Sequence, residues 1–190
     1  MDKEQIEQIN ELALALTQEQ LDAMEIKITL GFLTTEHALM IEQTKGKVLN
    51  WIDWFKNHHD HLTNRFTLSV SSKGRPPMII GAAVFSYDIN NHAVNIHMVE
   101  HFKGIAFDDP LINRMGFVVL NVGFVFAKTV QATHICIINP LADAKPYYQY
   151  LTFEPVDEGV LSASLASIKD KLASLHEMNG QHDYEGLDEA

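Results

Sequence analysis

The sequence predicts an α+β domain, a mixed sheet with an antiparallel meander and a βαβ crossover, flanked by helices and carrying one further helix at each end. Three observations lead there. Three strand-like runs between 66 and 100 are separated only by turn residues, a long apolar helical pattern precedes a short buried strand at 133–138, and amphipathic helical patterns stand at 2–16 and 160–176.

In 2–16, Ile6, Ile9, Leu12 and Leu16 recur at helical spacing among Asp, Lys, Glu and Gln. Thr17 with Gln20 three residues on has the form of a capping box and predicts a second short helical segment to about Met24, so 1–24 is an N-terminal helical extension. Ile26, Ile28 and Leu30 alternate with Lys27 and Thr29, the period of a half-buried strand, and Gly31 ends it. Thr34 or Thr35 can cap a helix to about Gln43; Gly46 precedes another on which Val48, Trp51, Ile52 and Phe55 share one face, with Trp51 in the core and Trp54 at its rim. His58-His59-Asp60-His61 reads as a helix end and polar loop rather than a metal site, because adjacent side chains cannot easily all turn to one ion.

Strands follow at 66–71, 78–87 and 93–100, joined by a Gly/Pro-rich loop and the turn 88–91. Asp109-Pro110 reads as an N-cap and a first-turn proline opening a buried helix to about Val130, with Gly116, Gly123 and Ala127 on the side that approaches the sheet. The strand at 133–138 then completes a crossover, which makes it a parallel neighbour of 93–100. A helix at 141–151 and a last strand at 153–156 close the domain, 25–157. Leu161, Leu165, Ile168, Leu172 and Leu175 place an amphipathic helix over 158–177. The remainder, 178–190, has four acidic residues and neither Lys nor Arg, the composition of a disordered tail.

With 46% hydrophobic content, 190 residues bury one core. The charge balance, 14 Lys plus Arg against 25 Asp plus Glu for a net −11, argues against a phosphate-binding face and so against nucleic acid as a partner. A single cysteine, Cys136, flanked by isoleucines, reads as an inert buried thiol and allows neither an internal disulfide nor a Cys-rich metal cluster; a reducing cytoplasm is the expected location. The opening residues have no basic stretch followed by an apolar one, so no targeting segment is expected, and the most apolar run, 115–127, falls short of the ~20 residues needed to cross a bilayer, so no membrane partner is expected.

The element order from residue 25, strand, two helices, three strands, helix, strand, helix, strand, resembles the GNAT-type acyl-CoA N-acyltransferase superfamily. Three local matches fall in the right order. Thr34-Thr35-Glu36-His37-Ala38 is similar to the start of the family's first helix, Val99-Glu100-His101-Phe102-Lys103-Gly104 to the end of its fourth strand, and Tyr148-Gln149-Tyr150-Leu151-Thr152-Phe153 to its Tyr-x-x-x-Gly-Phe signature. The likeness covers about 25–157 and is that of a divergent member. Lys103-Gly104-Ile105-Ala106 leads into Phe107-Asp108-Asp109-Pro110, where the family's phosphate loop has glycine and free amides, and Thr152 stands in place of glycine.

The resemblance implies a sheet splayed between the strand ending near Glu100 and the strand at 133–138, with the pantetheine arm of acetyl-CoA or another acyl-CoA in the gap. It implies cofactor contacts from Met98, Val99, His101, Lys103 and Gly104, and pyrophosphate at the start of the following helix, where free N–H groups and positive potential favour an anion. Tyr148 matches the family's general acid. Glu100, by family position, or His97, because an imidazole is the side chain suited to proton transfer near neutrality, would be the base; no metal is implied. The function that follows is transfer of an acyl group to an amine. The acidic chain suits a small amine or a basic peptide as acceptor, and a homodimer completes the expected partners. The alternative is a catalytically inactive GNAT-fold binding or assembly module, in which Phe107 or the aspartates fill the cleft.

Overall fold

Asp2 and Gln5 start the first helix reciprocally: the Asp2 carboxylate accepts the Gln5 N–H at 2.8 Å and the Gln5 side chain accepts the Asp2 N–H at 3.0 Å. In the computed structural model, which describes residues 1–57, 64–74, 78–105 and 109–181 (side chains to 177), this helix, α1 (Lys3–Ala23), runs unbroken past Thr17. The expected second start there does not occur. Thr17 lies on the buried stripe formed by Ile6, Ala13 and Leu21, and burial of that stripe carries the helix on, leaving the Thr17 hydroxyl without a hydrogen-bond partner. Beyond α1 come β1 (Ile28–Gly31), then α2 (Thr35–Glu42), whose N-cap Thr34 accepts the His37 N–H at 3.2 Å.

Helix α3 (Trp51–Asn57) buries Trp51 and Phe55, one turn apart. Val48 does not join their face: it precedes the helix, its N–H held by the Glu100 carboxylate, and is 74% exposed. Strands β2 (Arg65–Ser72), β3 (Ile79–Asp88) and β4 (Ala93–His101) form the antiparallel meander. Helix α4 (Met115–Thr129) crosses back to β5 (His134–Ile138), which lies parallel to β4. A 3-10 turn (Ala142–Ala144), α5 (Lys145–Tyr150), β6 (Glu154–Asp157), β7 (Val160–Ser164) and α6 (Leu165–Gln181) follow. Among the described residues seven strands make one sheet, in the order β1-β2-β3-β4-β5-β7-β6.

Two boundaries differ from expectation. Helix α4 begins at Met115 rather than at Asp109, because Asn113 adopts φ 60°, a left-handed conformation that no α-helix accommodates. Asp109 instead closes a turn, its Oδ1 accepting the Leu111 N–H at 3.0 Å. Residues 160–164 are a strand rather than the start of a helix: Leu161 and Ala163 are buried while Val160, Ser162 and Ser164 are less so, a two-residue period, and the strand pairs with β5 from His134↔Ser164 to Ile138↔Val160. The leucine repeat runs across this strand–helix junction. The sequence 58–61 and the tail beyond 181 lie outside the described residues.

The sheet separates two cores. On one face α1, α4 and α6 pack over β2 to β5, with Phe66 stacked between Phe85 at 4.6 Å and Phe126 of α4 at 3.7 Å between ring centroids. On the other face α2 and α3 cover Ala82, Val84, Met98 and Phe102. Helix α1 also closes the outer edge of β1: Gln18 Nε2 donates to the Ile28 carbonyl at 3.0 Å and its Oε1 accepts the Leu30 N–H at 2.8 Å.

Candidate active site

The register of β4 sets the site. Met98 pairs with Val84 of β3 and Ile96 with Phe85, so His97 is the additional residue of a β-bulge. Ladder pairing between β4 and β5 runs from Ala93↔His134 to Ile96↔Ile137, ending at that bulge, while β4 continues to His101. The two parallel strands therefore part at His97.

Into this opening faces the start of α4, which no side chain of its N-cap residue Arg114 closes. Between the end of β4, the first turns of α4 and α5 lies a mainly apolar cavity of about 500 Å³, lined among others by Val99, Glu100, Met115, Gly116, Tyr148 and Phe153. Of the residues expected to contact a cofactor, Val99, His101 and Lys103 line the cavity. Met98 is buried in the core beneath α2 and α3, and Gly104 occupies a turn at φ 78° with open space around it. Asp109, near this mouth, does not fill it: its Oδ2 lies 2.7 Å from His101 Nε2, in a pair whose side chains are 10% and 5% exposed, with His101 the more exposed. Phe107 and Asp108 lie outside the described residues.

Tyr148 is placed by the way α5 ends. The Thr152 N–H donates to the Gln149 carbonyl at 2.9 Å and the Phe153 N–H to the Tyr148 carbonyl at 3.0 Å, the paired bonds of a Schellman cap. The accompanying apolar contact is the Tyr148–Phe153 pair, T-shaped at 6.3 Å between centroids. These bonds are the physical content of a tyrosine followed at five residues by phenylalanine. The residue between them must be left-handed, and Thr152 has φ 73°, a strained state for a β-branched side chain, with its hydroxyl buried and without a partner. Burial holds the Tyr148 phenol above its ordinary pKa; the same cause, with Tyr148 adding to it, raises that of Tyr147.

Glu100 lines the cavity but its carboxylate is occupied. It accepts from Trp51 Nε1 at 2.7 Å, from the Leu49 N–H at 3.2 Å and from the Val48 N–H, fastening the segment before α3 against the end of β4. His97 does not line the cavity; its Nε2 lies 2.8 Å from the Ser86 hydroxyl, at the bulge itself. Three side-chain roles had no local sequence signal: the His101–Asp109 pair, the Trp51 clasp on Glu100, and Tyr147, whose hydroxyl packs where a Cβ on Gly116 would stand. Glycine in the first turn of an apolar helix was the one hint of the last. Cys136 is only partly buried and points to Ser162 Oγ at 3.5 Å.

No family model matches the sequence, nor does any curated protein. Solved structures do. A tyrosine-to-phenylalanine mutant of KacT is 15% identical at TM-score 0.55, over 76% of this chain and 98% of that one. The KacTA–DNA complex is 17% identical at 0.55, over 77% and 99%. AtaTR bound with AcCoA is 12% identical at 0.57, over 75% and 96%. These structures overturn the expected partner set, an amine or basic-peptide acceptor with nucleic acid excluded: KacTA is solved with DNA, and AtaT with the C-terminus of the antitoxin AtaR. A net charge is a sum over one chain and does not report what a protein of this fold assembles with. Among the described residues no helix is long and apolar enough to cross a membrane. In its strand order, its splayed β4 and β5 and its structural neighbours, the chain has the GNAT-type fold.

Proposed function

We propose that the protein is an acyl-CoA-dependent N-acetyltransferase. The carrying observation is the open cavity of about 500 Å³ where β4 leaves β5, with Tyr148 in its wall. Its apolar lining suits a pantetheine arm, β4 beyond Ile96 offers backbone free of β5, and the uncapped start of α4 suits phosphate. Lys103 and Val99 would contact the arm from the β4 side. AtaTR, of the same fold, is solved with AcCoA.

In this reading the acceptor nitrogen attacks the thioester carbonyl directly. The C–N bond forms, the C–S bond breaks, and the Tyr148 hydroxyl returns a proton to the leaving thiolate. A phenol is protonated at neutral pH, as an acid requires, and burial, which raises its pKa, does not alter that. His97 does not itself line the cavity, so in this scheme it takes the acceptor's proton through an intervening water at the point of strand separation, three donors already holding Glu100. Glu100 serves as a strut for the cavity wall. The AtaT–AtaR structure supports a protein partner for this chain as well.

Titrating acetyl-CoA against the purified protein while following its melting temperature tests the proposal. Ligand at ~100 times its dissociation constant adds ~2.7 kcal/mol of stability and a clear upward shift. Absence of any shift with acetyl-CoA and with longer acyl-CoAs overturns it in favour of a binding module.

A further inference from the structure

His101 stands two residues beyond Val99 on β4, and both line the cavity. Its ring is held at one nitrogen only. Nε2 lies 2.7 Å from Asp109 Oδ2 in a pair nearly closed to solvent, and Asp109 is fixed in turn at its other oxygen, Oδ1, which accepts the Leu111 N–H at 3.0 Å. A carboxylate only accepts, so Nε2 carries the ring proton, and in the neutral imidazole Nδ1 is then a bare acceptor. Among the described residues nothing donates to Nδ1, and it is not one of the polar atoms sealed from solvent without a partner. Glu100, the neighbouring acceptor on this wall, is already taken up by three donors. The lone pair on Nδ1 is what this end of β4 has left to offer a ligand.

We propose that His101 is a specificity-determining residue for the acyl donor: its Nδ1 accepts a hydrogen bond from the thioester arm, whose amides and hydroxyl are donors. Asp109 sets the tautomer and is a positioning residue that acts through His101. The inference rests on the acyl-CoA reading and adds to it a side chain with a defined polarity. A nitrogen with no proton to give takes an N–H or an O–H and has nothing for an anionic oxygen, so it places the amide portion of the donor, rather than its phosphates, against the end of β4. The polarity depends on the carboxylate. In Asp109→Asn the Leu111 N–H keeps the amide oxygen, the NH₂ group is left facing Nε2, and the ring must move its proton to Nδ1, which turns the acceptor into a donor.

Imidazole nitrogen NMR of the full chain, with the His101 signals identified by their loss in His101→Gln and S-acetyl-pantetheine as the probe, reads this directly. Expected in the wild type near neutral pH is a proton on Nε2 and none on Nδ1, with the Nδ1 resonance the one that moves as S-acetyl-pantetheine is added. In Asp109→Asn the proton should appear on Nδ1, and isothermal titration should show S-acetyl-pantetheine and acetyl-CoA both binding roughly 2- to 12-fold more weakly, the worth of one neutral hydrogen bond. A proton on Nδ1 in the wild type, an Nδ1 signal indifferent to the ligand, or undiminished affinity in Asp109→Asn overturns the assignment and leaves the acyl-CoA reading standing. The first two of these need only the wild type and decide the matter even where the variant does not fold. Failure of the wild type to bind either ligand sinks the assignment and the acyl-CoA reading together.

Discussion

Tyr148 and Phe153 are joined twice, by a backbone hydrogen bond of 3.0 Å from the Phe153 N–H to the Tyr148 carbonyl and by an edge-on ring contact at 6.3 Å. The cap that ends α5 is thereby the device that aims the candidate acid, and its weak point is Thr152, left-handed at φ 73°.

Thr152→Gly should stabilise the protein. Left-handed strain in a residue other than glycine costs ~1–3 kcal/mol, and the flexibility of glycine in the unfolded chain offsets ~0.5–1 kcal/mol of the gain. A net increase of about 1 kcal/mol in urea unfolding is expected, with the fold unchanged. A decrease would show that Thr152 makes packing contributions that outweigh its backbone conformation.

Replacing Glu100 by Gln keeps the shape and removes the charge that three donors share. The Val48 and Leu49 amides and the Trp51 indole then face a weaker acceptor whose NH₂ group has no role there. A loss of about 2 kcal/mol is expected, since hydrogen bonds to a charged partner are worth ~1.5–3 kcal/mol each and not all three are lost. Hydrogen exchange at Val48 and Leu49 should speed up in step; unchanged protection there would contradict the strut.

For Tyr148→Phe the acyl-CoA affinity should stay within about twofold while turnover falls by ~10²–10⁴, the usual contribution of a positioned proton donor. Steady-state kinetics with a measured dissociation constant separates the two quantities. Retained turnover takes Tyr148 out of the chemistry.

Alkaline pH should destabilise the fold through the tyrosine pair. Tyr147 and Tyr148 both have folded-state pKa values above the ordinary 10.0, chiefly from burial, so the folded protein retains protons that the unfolded chain gives up. Their contribution is fully present below about pH 10 and is lost as pH rises from there through the folded values. Urea midpoints measured upward from pH 9 should fall, and Tyr147→Phe with Tyr148→Phe should flatten that fall.

Most of the sheet was legible because strand signals are local: Ile28 to Gly31, the meander and His134 to Ile138 fall within a few residues of where alternation, or a short apolar run between turn residues, puts them. The order of elements, which carried the family resemblance, followed from that. Misreadings came where a local signal met a longer-range one. Asp109-Pro110 has the chemistry of a helix start, yet Asp109 is drawn to His101 and Asn113 turns left-handed. Leu161 keeps helical spacing with Leu165 although it belongs to a strand held by β5. In the site, Tyr148 was legible from a motif because the cap that sets it spans five residues. Glu100 was legible as a position but not as a clasp, since its donors Leu49 and Trp51 are 51 and 49 residues away in sequence.

The side chain of Gln18 offers Ile28 and Leu30 one donor and one acceptor, the pair that a neighbouring peptide unit would present. To β1 it is a strand one residue long, and it stops growth there: another chain arriving at this margin finds the ladder already answered. At the far margin Pro155 has no N–H to give, so β6 is a poor template as well. A seven-stranded sheet with both ends terminated in this way has little route to polymerise edge to edge, and Gln18→Leu would reopen one of its two ends.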